Sequence, residues 1–222
     1  MQRIPMYRGF MSIIMIGIFV CSARTQTKQI VPYYVQPGSR LWIEGSATLG
    51  SYTCETVAVY GTGALKSDVA RLIENAAAHS AEQHQIQVFV DVKMFDCGNP
   101  AMNSDMYHAL RAEEDSAIEY TLTNANVVYD SIQQTGWLGL QTIGTLMIAG
   151  VSRTDTIFVQ AKSLSQMKYE IVGSKNLSML DFKIVPPTAF FGLIRANEKL
   201  VVKFDIIAGP DPSFTESRMR GK

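Results

Sequence analysis

The chain has 222 residues, with 20 lysines and arginines balancing 20 aspartates and glutamates and 47% of it hydrophobic. A formal charge of zero leaves no basic excess to attract nucleic acid. No internal repeat or low-complexity tract is visible, and the length suits one all-β domain with a sizeable core.

Arg3 and Arg8 make a positive start, residues 10–20 an apolar run, and Cys21, Ser22 and Ala23 a small-residue end. This is the layout of a secretory signal, with cleavage expected after Ala23 or shortly before Gln26. The run is too short for a stable bilayer span, and nothing later is long and apolar enough for one. A lipid tether on Cys21 is the weaker reading, because bulky Val20 sits where that processing wants a small residue. A buried first helix is also weaker, since polar residues 25–29 follow directly. The expected location is therefore the periplasm or another exported one. Removing residues 1–23 takes away two arginines and leaves a formal charge of −2. Only Cys54 and Cys97 then remain, and two cysteines in an oxidising compartment suggest one disulfide, with two buried free thiols as the alternative.

Residues 24–38, with Pro32, Pro37 and Gly38, read as a linker. Beyond it the rhythm is period two, as in Ile86, Val88, Val90 and Val92, and again in Ile118, Tyr120 and Leu122. Such alternation means strands with one covered face. The same reading covers residues 41–47, 52–60, 138–149, 156–161, 166–172 and 200–208. Two segments turn helical. Ala64 to Ser80 carries an apolar stripe of Leu65, Val69, Leu72, Ile73 and Ala76, suited to a cover across a barrel or to a helix on its outside. At Asn99-Pro100 an N-cap residue precedes proline at the first helical position, and Met102, Met106, Ala109 and Leu110 follow at helical spacing. Residues 209–222 read as a disordered tail. Short strands without regular helix alternation favour an all-β barrel or sandwich over a parallel sheet.

Catalytic and metal signatures are missing. His79, His84 and His108 show no HxH or HExxH spacing, and Cys54 and Cys97 make no CxxC. Gly61-Thr62-Gly63 reads as a turn, and no GxSxG elbow is present. The acidic run Glu113-Glu114-Asp115 reads as a solvated loop face rather than a cation site. No catalytic residue, metal or cofactor is therefore assigned, and an enzyme is the least expected class. Alternation places Val88, Val90, Tyr120, Leu122, Leu146, Ile148, Phe158, Tyr169, Ile171, Phe204 and Ile206 on inward faces, with Met179 and Phe182 near one end. Tyr120 and Tyr169 are the candidates for a hydrogen bond to a ligand head group.

Several stretches together resemble the YceI-like lipid-binding family: Ser39-Arg40-Leu41-Trp42-Ile43-Glu44-Gly45, Phe95-Asp96-Cys97-Gly98-Asn99 and Met102-Asn103-Ser104-Asp105-Met106-Tyr107-His108-Ala109-Leu110. Gly144-Thr145-Leu146-Met147-Ile148-Ala149-Gly150-Val151, Met179-Leu180-Asp181-Phe182 and Pro186-Pro187-Thr188 continue the set in the family's order, over residues 39–208. The resemblance implies an extended lipocalin-like barrel of eight antiparallel strands, exported to the periplasm. It also implies an apolar lipid, of polyisoprenoid type, in the lumen, so that the inward residues become ligand-binding residues. It is similar to a subgroup with a cysteine at Cys54 beside the Phe-Asp-Cys motif, which favours the disulfide. Two departures are the longer 64–80 segment and the lack of an Asn-Arg pair before the last strands. The competing reading is a secreted structural or adhesion module with a closed core and no ligand. Monomer and homodimer are both compatible with the sequence.

Overall fold

The computed structural model describes residues 30–66, 85–165, 167–189 and 191–211. The expected signal segment, the Cys21 tether, most of the 64–80 segment, His79, His84 and residues 212–222 lie outside them. The strands are β1 (Ile30–Val35), β2 (Arg40–Ala47), β3 (Ser51–Thr56), β4 (Val59–Lys66), β5 (Gln85–Asp91), β6 (Ala117–Ser131), β7 (Trp137–Ile148), β8 (Val151–Ser165), β9 (Lys168–Ser178), β10 (Thr188–Ala189) and β11 (Ile194–Pro210). Helix α1 (Pro100–Ala109) and the four-residue α2 (Ile132–Thr135) interrupt them, with 3-10 turns at Val92–Met94 and Met179–Phe182.

Antiparallel pairing runs β1-β4-β5-β6-β7-β8-β9-β11, and β11 pairs back onto β1, so the sheet closes as an eight-stranded barrel. Closure pairs the strands of the ring on both sides, and β3, laddered to β2 alone, keeps its other side to a single bridge at Glu55. The 17-residue β11 pairs β1 through Ala208, Gly209 and Pro210, and β2 through residues 196–205. One stave is thus β1 continued by β2, and the next is β3 continued by β4.

The expected linker is corrected here, because residues 30–35 form a barrel strand. Its prolines hid it. Pro32 lies opposite Ala64 in the β1–β4 ladder, one residue before Tyr33, where the pairing with β11 begins. Pro37 and Gly38, the latter at φ +95°, break the stave between β1 and β2. Ser39, only 2% exposed, mends the break: its hydroxyl donates to the Gln36 carbonyl at 2.8 Å and accepts from the Ile207 N–H at 2.9 Å. Ser39→Ala leaves that buried N–H without its acceptor, so we expect a loss of about 1–3 kcal/mol, read by urea denaturation. An unchanged midpoint would show that water replaces the hydroxyl. The tail boundary also shifts, since β11 continues through Pro210.

The apolar residues gather in three clusters down the barrel. One end holds Tyr33, Leu138, Ala161 and Tyr169, with the Tyr33 and Tyr169 rings 5.8 Å apart. The middle holds Ile43, Cys54, Val59, Val90, Phe95 and Ile206. The other end holds Leu146, Ile148, Ala149, Phe182 and Ile184. Most charged groups stay on the outer wall, where Lys203 bonds Glu44 at 2.8 Å and holds its carboxyl below the ordinary value.

Candidate functional site

Between the end clusters lies a cavity of about 720 Å³. That is within the range of roughly 300–1,000 Å³ in which ligand pockets fall. Every long strand contributes by parity: Ile86, Val88 and Val90 from β5, Leu140, Leu146 and Ile148 from β7, and Leu200, Val202, Phe204 and Ile206 from β11. β6 changes parity part way. Ile118, Tyr120 and Leu122 face inward, then a bulge between Leu122 and Asn124 turns Ala125 to the lumen instead.

Two aromatic rings lie along the wall over glycines rather than across the lumen. Phe204 packs over Gly173, and Tyr120 over Gly144, where an added Cβ would also come within 2.5 Å of the Thr121 carbonyl oxygen. The absence of side chains at these glycines gives the rings room against the wall, which keeps the lumen open.

Helix α1 closes part of one end. Asn99 caps it by accepting from the Ala101 N–H at 2.8 Å, with Pro100 next, as the sequence predicts. Ala101, Met102, Met106, Ala109 and Leu110 line the cavity, so the methionine stripe covers the lumen. Unbranched thioether chains can follow an irregular ligand. The lid is tied down at its root. Cys54 and Cys97 form the disulfide, Glu55 and Asp96 exchange two backbone hydrogen bonds of 2.9 Å, and the Tyr107 hydroxyl donates to the Phe95 carbonyl at 2.8 Å. The Gly98 N–H and then the Asn103 amide bond the Asp96 carboxylate and hold it below the ordinary carboxylate value. Beside the lid, Leu49 lines the cavity while 72% exposed, and Pro187, Thr188 and Ile194 line it nearby, so the lumen reaches solvent at this end.

The expected inward residues Val88, Val90, Tyr120, Leu122, Leu146, Ile148, Tyr169, Ile171, Met179, Phe182, Phe204 and Ile206 all line this cavity. Phe158 does not. It is 59% exposed, because Ile157, Val159 and Ala161 face inward on β8 and Phe158 shares the outer face with Thr154, Thr156, Gln160 and Lys162. Its bulk suggested an inward position, but the parity of the whole strand decides.

The Tyr120 hydroxyl, a candidate for head-group contact, already donates to Thr142 Oγ1 at 3.2 Å, and that hydroxyl donates to the Ile157 carbonyl at 2.9 Å. Burial pushes the Tyr120 phenol above its ordinary value, against the Thr142 bond and with the help of nearby Asp155. Burial also raises Tyr52, whose ring lies over Gly45. Sequence reasoning missed Tyr52, Thr142 and Lys175 in the wall. Lys175 had a legible signal, a charge sharing parity with inward Tyr169, Ile171 and Leu177. The acidic run is engaged by Lys93 on Glu113 at 2.9 Å and Arg111 on Glu114 at 3.1 Å. Among the described residues no three metal-ligating side chains cluster, and no helix is long and apolar enough to cross a membrane.

Fold and site together define a closed, eight-stranded antiparallel barrel around an apolar lumen. Solved structures share this fold. BcnA of Burkholderia cenocepacia matches at a TM-score of 0.58 and 13% identity, over 76% of this chain and 95% of its own. A polyisoprenoid binding domain from Saccharophagus degradans matches at a TM-score of 0.58 and 14% identity, over 82% of this chain and 99% of its own. A YceI protein of Campylobacter jejuni matches at a TM-score of 0.47 and 14% identity, over 61% of this chain and 82% of its own. No protein-family model and no curated protein sequence matches the chain.

Proposed function

We propose that the chain is an exported, YceI-like binding protein that holds an apolar, isoprenoid-type lipid in its barrel. The observation that carries this reading is the 720 Å³ lumen, with walls made almost wholly of aliphatic, aromatic and methionine side chains. Each methylene moved from water into such a wall contributes about 0.8 kcal/mol before association costs. A long hydrocarbon tail is therefore the ligand class with most to gain. The Saccharophagus degradans domain, named for polyisoprenoid binding, shares the fold and lends the same reading support. A closed, ligand-free barrel would need large side chains meeting on the axis, and here Tyr120 and Phe204 lie against the wall over glycines instead. The disulfide agrees with an oxidising, exported location.

Native mass spectrometry of protein purified from its own host tests the proposal. The expected result is an added mass in the lipid range that organic extraction removes. A bare protein mass, together with failure to take up a long-chain polyprenol from detergent, would overturn it.

A further inference from the structure

The exposed apolar surface is concentrated at the mouth of the barrel. Phe191, Leu193, Val185 and Leu49 are four of the five most exposed large apolar side chains among the described residues. Backbone bonds hold them on one rim. At the β2–β3 turn, which carries Leu49, the Thr48 N–H donates to the Arg195 carbonyl at 2.9 Å and the Arg195 N–H donates to Thr48 Oγ1 at 3.2 Å. Arg195 pairs Thr188 in the β10–β11 hairpin. The tip of that hairpin carries Phe191 and Leu193, and there the Gly192 N–H donates to the Ala189 carbonyl at 3.1 Å. The Ala196 N–H donates to the Pro187 carbonyl at 3.0 Å, which brings in Val185 just before it. The same segments turn Ile184, Pro187, Thr188 and Ile194 to the lumen, so the rim is apolar on its inner side as well.

Phe191 needs a reason outside the fold. It stands at φ +55°, a backbone region that is strained for a bulky residue and that glycine or asparagine occupies more easily. Its ring is fully exposed and so gains nothing from the barrel in return. Charge points the same way. Residues 182–197 contain Lys183 and Arg195 and no carboxylate. Both cations are exposed, and neither has an acidic partner among the described residues. Asp181, just before the segment, is engaged by Arg153 at 3.8 Å. Apolar tips flanked by unpaired cations suit an anionic bilayer, where the side chains enter the acyl boundary and each cation near the surface adds attraction.

We propose that this rim docks the mouth of the barrel on an anionic phospholipid bilayer, a step whose purpose rests on the lipid-holding reading above. Phe191, Leu193, Val185 and Leu49 enter the interface, and Lys183 and Arg195 meet the lipid phosphates. A tail leaving the lumen through open water would re-expose every methylene it had buried. A mouth seated on the bilayer passes it from one apolar phase to another. A second copy of the chain suits the rim less well, because it would set two pairs of unpartnered cations against each other.

Flotation of protein purified from its own host tests the docking, with vesicles of phosphatidylethanolamine and phosphatidylglycerol and with vesicles of phosphatidylcholine alone. Wild type is expected to bind the anionic vesicles about 25-fold more tightly than the neutral ones, the factor that two surface cations supply. Lys183→Gln/Arg195→Gln should remove that difference. Phe191→Asn/Leu193→Ser should weaken binding to both kinds by about 100-fold. Its melting temperature should not fall, because both side chains are exposed and asparagine accepts the positive φ. Phe158→Ser, exposed on the outer wall, should bind as wild type does. Failure of wild type to float, or flotation unchanged in Phe191→Asn/Leu193→Ser, would overturn the docking. So would a wild type that sediments as a dimer and a rim variant that sediments as a monomer, since a second copy would then cover the rim. Native mass spectra of the same samples keep the two readings apart. Lipid retained without flotation overturns the docking alone, and flotation of a protein that never takes up lipid overturns the lipid-holding reading alone.

Discussion

Filling the lumen with indole rings should abolish lipid retention without unfolding the barrel. Val88 on β5 and Ile171 on β9 stand four staves apart in a ring of eight, hence on opposite walls. Both pack against the same central cluster and are only partly buried, so space lies in front of them. Val88→Trp combined with Ile171→Trp would take up room now open to a ligand chain. Displacing about four methylenes at about 0.8 kcal/mol each forfeits about 3 kcal/mol, or more than 100-fold in affinity. Overpacking a filled core costs about 1–3 kcal/mol, but rings entering an existing void should escape much of that. The expected outcome is a normal melting temperature with loss of bound polyprenol, measured by uptake of a radiolabelled chain. Phe158→Trp is the control. It lies on the outer face of β8 and should leave uptake as it is. Retention by the doubly plugged protein would place the ligand outside the lumen and remove the basis of the functional reading.

What the sequence conveyed was parity. Val88, Val90, Tyr120, Leu122, Leu146 and Ile148 could be assigned to the lumen because alternation holds wherever a strand is regular. It fails where the backbone departs from regularity. The bulge after Leu122 exchanges the faces of β6, so nothing local marks Ala125 as inward. β1 was hidden because Pro32 and Pro37 look like linker residues until the end of β11 is known to lie opposite Tyr33. Phe158 was misplaced because one bulky residue outweighed the polar company it keeps along its face. The lid was half legible. Asn99-Pro100 and the methionine spacing give α1, but only tertiary packing turns that stripe onto the mouth of a barrel. The Lys175–Asp155 pair joins two strands 20 residues apart, and no pattern within either strand announces its partner.

Cleaving the Cys54–Cys97 disulfide should produce the largest stability change, with its local effect concentrated in the lid. The bond spans 43 residues. For a loop of that length the chain-entropy model gives about 4 kcal/mol, mainly by restricting the unfolded chain. A protein of this size shifts by about 2–4 °C per kcal/mol, so Cys54→Ala/Cys97→Ala should melt about 8–16 °C lower. Reduced wild type should fall equally far. The local effect follows from topology. β3 is laddered to β2 on one side, and on the other it has a single bridge, Glu55 to Asp96, beside the disulfide. Without the bond, β3 keeps that single bridge to the root of α1 among the described residues, while the bonds of Tyr107 to Phe95 and of Asn103 to Asp96 and Cys97 tie α1 only to its own root. Amide exchange should therefore rise in β3 and α1 well before it rises in β7 and β8, and a bound polyprenol should leave faster from the reduced protein than from the oxidised one. A melting temperature that does not respond to reduction would mean that the unfolded chain is already confined over residues 54–97. Uniform acceleration of exchange around the barrel would mean that the bond braces the whole wall rather than the lid.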